Sequence, residues 1–113
     1  MMKLDSVGTV IAARELAIDG AKKVQVIIGK PEKFPDSSDY YCPYQITGIG
    51  NERIRYAGGV DAVQAFQLAL NMIGADLYTS KEAKAGKLNW EAGEKGDLGF
   101  PLPDSITDLA SNP

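Results

Sequence analysis

Val24, Val26 and Ile28 alternate with Lys23, Gln25 and Ile27, a period of two that sends one set to a buried sheet face and the other outward. The strand ends at Gly29-Lys30-Pro31. Within Val7 to Gly29 it is preceded by a second β-rich stretch, on the far side of Asp19-Gly20. That pair tolerates the positive φ angles of a tight turn, so the two stretches are expected to form an antiparallel hairpin. Pro31 to Asp39 carries two prolines and the run Asp36-Ser37-Ser38-Asp39, and reads as a surface connection. Strand character resumes from Tyr40 to Thr47. Pro43 within it cannot donate to a ladder, which predicts an edge strand or a nitrogen turned away from its neighbour. Gly48-Ile49-Gly50-Asn51 supplies a turn, and Arg53-Ile54-Arg55-Tyr56 alternates as a fourth strand.

Gly58-Gly59 closes the β region, and the period then changes. From Val60 to about Tyr78, Val63, Phe66, Leu70, Ile73 and Leu77 recur three and four apart, the spacing of one face of an α-helix. Gly58 or Gly59 is the expected N-cap, and Asp61 complements the positive end of the helix dipole. Thr79-Ser80-Lys81-Glu82 resembles a capping box, opening a short second helix that stops at Gly86. Leu88-Asn89-Trp90 and Leu98-Gly99-Phe100 flank the link Gly93 to Gly96, as a short hairpin or extended flap anchored by Trp90 and Phe100. The expected fold is α+β: a four-stranded antiparallel meander, one long helix on one face and a C-terminal extended segment. One domain is expected over residues 1–103, followed by a flexible tail over 104–113.

The helix has a second feature. Gln64, Gln67 and Asn71 form a polar strip with Leu68 and Met72 beyond it, and no residue from Ala62 to Ala75 is charged. A half-solvated helix ordinarily carries Lys and Glu outside, so a cover over this face is expected. Either the Trp90 to Phe100 segment folds back and satisfies the amides, or the face meets a second copy or another protein.

Length and composition constrain the partners. A chain of 113 residues, 44% of them hydrophobic and 24% charged, supports a single globular core. A net charge of −3 leaves no excess of cations to neutralise a phosphate backbone, so nucleic acid is not an expected partner. The apolar runs are too short to span a bilayer and Met1-Met2-Lys3-Leu4-Asp5 is no signal peptide, which makes the cytoplasm the expected location and a membrane not.

Catalytic options are few. The chain has no histidine, the commonest general base near neutral pH and the commonest metal ligand. HExxH, CxxC, GxSxG and GxxxxGK[ST] patterns are missing as well. No cofactor and no metal is expected. The single cysteine, Cys42, reads as a buried packing residue. Asp36 with Asp39, or Glu91 with Glu94, would work as an acid and base pair only if burial shifted one of them. The tyrosines Tyr40, Tyr41, Tyr44 and Tyr56 lie on two strands expected to pair, so alternation divides them between faces. Cross-strand packing with half-exposed rings is the expected role, and those exposed beside Arg53 and Arg55 would otherwise make a recognition surface.

Tyr40-Tyr41-Cys42-Pro43-Tyr44-Gln45-Ile46-Thr47-Gly48, Gly58-Gly59-Val60-Asp61-Ala62-Val63-Gln64-Ala65 and Leu98-Gly99-Phe100-Pro101 together resemble a family of short bacterial proteins classed as a domain of unknown function. The likeness spans roughly Val7 to Pro103. It implies a bacterial source, a stand-alone domain and no assigned activity, and it carries no catalytic residue over. Three functions remain open. The first is a non-enzymatic protein-binding module of immunity or inhibitor type, or a homodimer, acting through the uncharged helix face of Gln64, Gln67, Leu68, Asn71 and Met72, with the strand surface of Arg53 and Arg55 as a separate candidate contact. The second is a small-ligand binder with a pocket between helix and sheet lined by Gln64, Gln67, Tyr44 and Trp90. The third is an enzyme working through carboxylates or Cys42.

Overall fold

The computed structural model describes residues 2–94 and 96–102. Strands β1 (Val10–Ile18) and β2 (Lys22–Gly29) form the expected hairpin. It turns at Asp19 and Gly20, whose φ angles are 53° and 72°. Glycine has no Cβ to clash in this left-handed region, and aspartate is among the few other residues that tolerate it. Strand β3 (Glu32–Lys33) precedes β4 (Tyr40–Thr47) and β5 (Arg55–Gly59). Helices α1 (Ala62–Tyr78) and α2 (Lys81–Lys84) lead to β6 (Leu88–Asn89).

The fold is α+β, with an antiparallel sheet and one main helix. The sheet has six strands, and here the four-stranded expectation needs correction. The two extra strands, β3 and β6, are two residues long, too short for alternation to reveal. β3 lies on the same edge of β4 as β2, on the other side of Pro43. Along one edge of β4, β2 pairs with Tyr44 to Thr47 and β3 with Tyr40 and Tyr41, while β5 takes the other edge. The ladder thus breaks at Cys42 and Pro43, where the proline has no N–H to give. β6 extends the sheet beyond β1, pairing with Ala17 and Ile18. The C-terminal segment is therefore not purely extended, since α2 and β6 precede its irregular part. The tail expected over 104–113 lies outside the described residues.

The cap of α1 also differs from expectation. Asp61 is the N-cap, its carboxylate accepting the N–H of Gln64 at 2.8 Å. Gln64 Oε1 in return accepts the N–H of Val60 at 2.8 Å, a reciprocal pair that satisfies two backbone donors near the helix start. Gly58 and Gly59 belong to β5 instead. A Cβ on Gly59 would lie 2.5 Å from the Ala65 nitrogen, so glycine lets the strand pass close to the first helical turn. The same close approach explains which face is buried. Ala65, Ala69, Ile73, Gly74 and Leu77 are buried, Phe66 and Leu70 are partly so, and Val63 is 64% exposed. Ala65 and Ala69 join Ile73 and Leu77 on the buried face, and Val63, Phe66 and Leu70 of the expected stripe lie to one side.

The part of the sheet under β1 is covered by the C-terminal segment. Arg14 is its anchor: Nη1 donates to the Gly99 carbonyl at 2.8 Å, and the guanidinium lies 3.9 Å from the Trp90 ring centre and 4.8 Å from that of Phe100. The segment then reaches α1, where Tyr78 Oη accepts the N–H of Leu98 at 2.9 Å and a Cβ on Gly74 would meet the Pro101 carbonyl oxygen at 2.0 Å.

Cys42 is fully buried, its Sγ 3.5 Å from the Gly29 carbonyl oxygen. Burial pushes the thiol up from 9.0 to about 11, so at neutral pH it is protonated and serves packing. A folded value above the unfolded one means that between pH 9 and about 11 the unfolded chain has released a proton that the native state keeps. Stability is therefore fully present below pH 9 and falls as pH rises through about 11. Urea unfolding across that window should show the decline, and Cys42→Ala should flatten it. An equal slope in the variant would contradict the assignment.

Candidate functional site

On β4 the alternation turns Cys42, Tyr44 and Ile46 toward α1 and turns Tyr41 to the opposite face. Tyr41 packs there with Phe34 and Tyr56, ring centres 5.2 to 5.9 Å apart. Tyr44 has Arg55 as its cross-strand partner. The Arg55 guanidinium lies 5.8 Å from the Tyr44 ring centre and is ion-paired with Asp76 of α1. This pair ties β5 to the last turns of the helix directly over the phenol. The surface of tyrosines beside both arginines is thus not formed, because Tyr41 and Tyr56 are on the other side of the sheet from Arg55.

The loop from β4 to β5 fixes the far wall. Gly48 and Gly50 have φ of 99° and 65°, and Glu52 adopts 60°. Glu52 is held by accepting the Gly48 N–H at its carboxylate and the Gln45 side-chain N–H at its carbonyl, both at 2.8 Å. Asn51 Oδ1 accepts the Arg53 N–H at 2.9 Å. These bonds present Arg53 at the rim of a groove of about 760 Å³, which runs from Tyr44 and Ile46 across this loop to Asp76 and the start of α2. Lys22 and Lys81 also line it.

Tyr44 is the unusual member. It is 1% exposed, and its hydroxyl makes no hydrogen bond among the described residues. Leaving a buried hydroxyl unpaired costs about 1–3 kcal/mol. Burial pushes its pKa from 10.0 up to about 12, with the Arg55 charge opposing and Asp76 adding to the rise. The group is accordingly a neutral O–H donor throughout the physiological range.

Of the residues expected to form a site, the structure brings Tyr44, Arg53 and Arg55 together. The pocket of Gln64, Gln67, Tyr44 and Trp90 is not formed. Gln64 is spent on the helix cap, Gln67 is exposed, and Trp90 stacks on Arg14 at the β1 side. Leu68 is 39% exposed, while Asn71 and Met72 are half-buried. The C-terminal segment meets α1 at Gly74 and Tyr78, and among the described residues no hydrogen bond joins it to Gln64, Gln67 or Asn71. Sequence reasoning missed Lys22, Ile49, Asp76 and Lys81. Asp76 alone left a signal: it is the first charge after a long uncharged stretch, and it sits within the buried arc between Ile73 and Leu77.

All of these groove residues lie within residues 12–102, the span that matches the family described as Domain of unknown function (DUF6968). The chain belongs to that family. No curated protein and no solved structure matches it. The DUF6968 span runs from β1 to just past the Pro101 contact with α1, so it includes the Arg14 anchor as well as the groove. No described helix of this DUF6968 domain is long and apolar enough to cross a membrane.

Proposed function

We propose that this chain is a non-catalytic binding domain that holds a small polar organic molecule in the groove between the β4–β5 loop and the C-terminal end of α1. The observation that supports the reading is the Tyr44 hydroxyl, a buried donor left unpaired beneath a half-exposed ion pair in a groove large enough for a small ligand. Binding sites tolerate such groups because a ligand satisfies them, whereas a purely structural position gains from phenylalanine. Nothing in the groove supplies a nucleophile paired with a base, so binding is the function that its chemistry favours.

The test is a backbone amide NMR titration with a mixed fragment library. Shifts should cluster at Ile46, Asn51, Arg53 and Asp76. Shifts confined to Gln67, Leu68 and their surroundings, or none, would overturn the groove reading.

A second reading is a protein partner, or a second copy, on the outer face of α1. It draws on Val60, Val63 and Leu68, which are 70%, 64% and 39% exposed. Under this reading Leu68→Lys abolishes the association seen by sedimentation and leaves groove binding intact. Association unchanged by Leu68→Lys would remove it.

A further inference from the structure

We infer that the ligand of the groove is a small organic carboxylate bearing an apolar group, its anion set between the Arg53 guanidinium and the Tyr44 hydroxyl. The inference rests on the groove reading above and adds the ligand's chemical class. Two of the charges lining the groove cancel, since Arg55 is paired with Asp76, and the Glu52 carboxylate is turned onto the Gly48 N–H. Among the described residues, Lys22, Arg53 and Lys81 enter no ion pair, against Glu52 and Glu82 as the two remaining carboxylates of the lining. A chain of net charge −3 thus presents a locally cationic recess.

The donors suit a planar anion of single charge. Guanidinium and phenol offer N–H and O–H groups to carboxylate oxygens, and charge-assisted bonds of this kind are the strong ones. A phosphate is less well served. Two of the loop's backbone donors are already used, the Gly48 N–H by Glu52 and the Arg53 N–H by Asn51, which leaves fewer for the N–H cradle that phosphate favours. The walls add an apolar requirement: Ile46 and Ile49 are only half-buried, so a ligand with a hydrocarbon body covers them. An entering carboxylate also offers Arg55 a second anionic partner. In the structure the Tyr44 hydroxyl is buried, with the Arg55 guanidinium 5.8 Å from its ring centre, so the anion reaches it only with a shift of the side chains around it.

The experiment compares 4-methylpentanoate, 4-methylpentanamide and inorganic phosphate by NMR titration of the full chain and of Arg53→Gln. Arg53 is exposed and its bond to Asn51 is made by the backbone, so the variant keeps the fold. The expected result is saturable binding of the carboxylate, at least about tenfold weaker binding of the amide, and about tenfold loss in Arg53→Gln. Amide and carboxylate binding equally well at the groove would overturn the anion inference and leave the groove reading standing. Preference for phosphate would overturn it in favour of a different anion. If neither organic probe, nor any member of the fragment library, moves a groove amide, the groove reading fails together with the inference.

Discussion

Gly99→Val should destabilise this protein by about 2–5 kcal/mol. The number combines two costs of different origin. Gly99 has a φ of 77°, a region that costs an L-residue about 1–2 kcal/mol and a β-branched one at least that. Its Cβ would also lie 2.3 Å from Trp90 Cζ3 and 2.5 Å from Arg14 Nη1. Relieving that overlap means separating Arg14 from the Gly99 carbonyl or from the indole, and overpacking of this kind costs about 1–3 kcal/mol more. Gly96 provides the control. Its φ is 86° and a Cβ there meets nothing within 4 Å, so Gly96→Val should lose only the backbone share. Urea unfolding followed by Trp90 fluorescence measures both. Equal losses in the two variants would show that the Arg14 clamp contributes nothing beyond backbone conformation.

The second large effect runs in opposite directions for stability and for binding. Tyr44→Phe removes a hydroxyl that has no partner among the described residues and keeps the ring that fills the core. The variant should therefore be more stable than the parent by about 1 kcal/mol or more, and it should bind the groove ligand about tenfold more weakly, equivalent to about 1.4 kcal/mol. A gain in stability coupled to a loss of affinity is the mark of a group retained for recognition. If the variant is destabilised instead, the hydroxyl has a structural partner and the groove loses its main support. Alkaline titration adds a related check. Because the Tyr44 pKa is raised from 10.0 to about 12, its contribution is present below pH 10 and is lost as pH rises through about 12, and Phe at this position removes that loss.

Much of the architecture was legible because it follows from periodicity. Val24, Val26 and Ile28 are buried on the face their alternation predicts, and Asp19-Gly20 makes the turn between β1 and β2. Ser80 caps α2 through the Ala83 N–H, within the segment that the capping residues marked. The errors arose where tertiary contact overrode local pattern. Gly58 and Gly59 look like a cap because glycine ends elements, yet both are strand residues, and Gly59 is kept small by the first turn of α1. Apolar spacing places Val63 in the core, whereas it is exposed and Ala65 occupies the close approach between α1 and β5. β3 and β6 are set by what lies across from them, so no run of their own residues announces them.

The site was half legible. Tyr44, Arg53 and Arg55 were singled out for their chemistry, and β4 pairing with β5 brings them together. Lys22 and Lys81 come from a hairpin end and a short helix that are distant in sequence from those strands, and only the folded sheet places them in the same groove. The uncharged helix misled in the other direction. Gln64 looked like a contact residue, but its amide closes the cap with Val60 and Asp61, a use that becomes visible only once Asp61 is known to be the N-cap.

The most direct test is to label the tyrosines with ¹³C at Cζ and follow the Tyr44 resonance while 4-methylpentanoate is added. A new hydrogen bond from the phenol should shift this carbon in step with the groove amides, and the other tyrosines should stay still. A Tyr44 signal that does not move while the amides of Asn51 and Arg53 do would contradict the central claim, since the ligand would then be held without the one buried donor that the groove leaves unpaired.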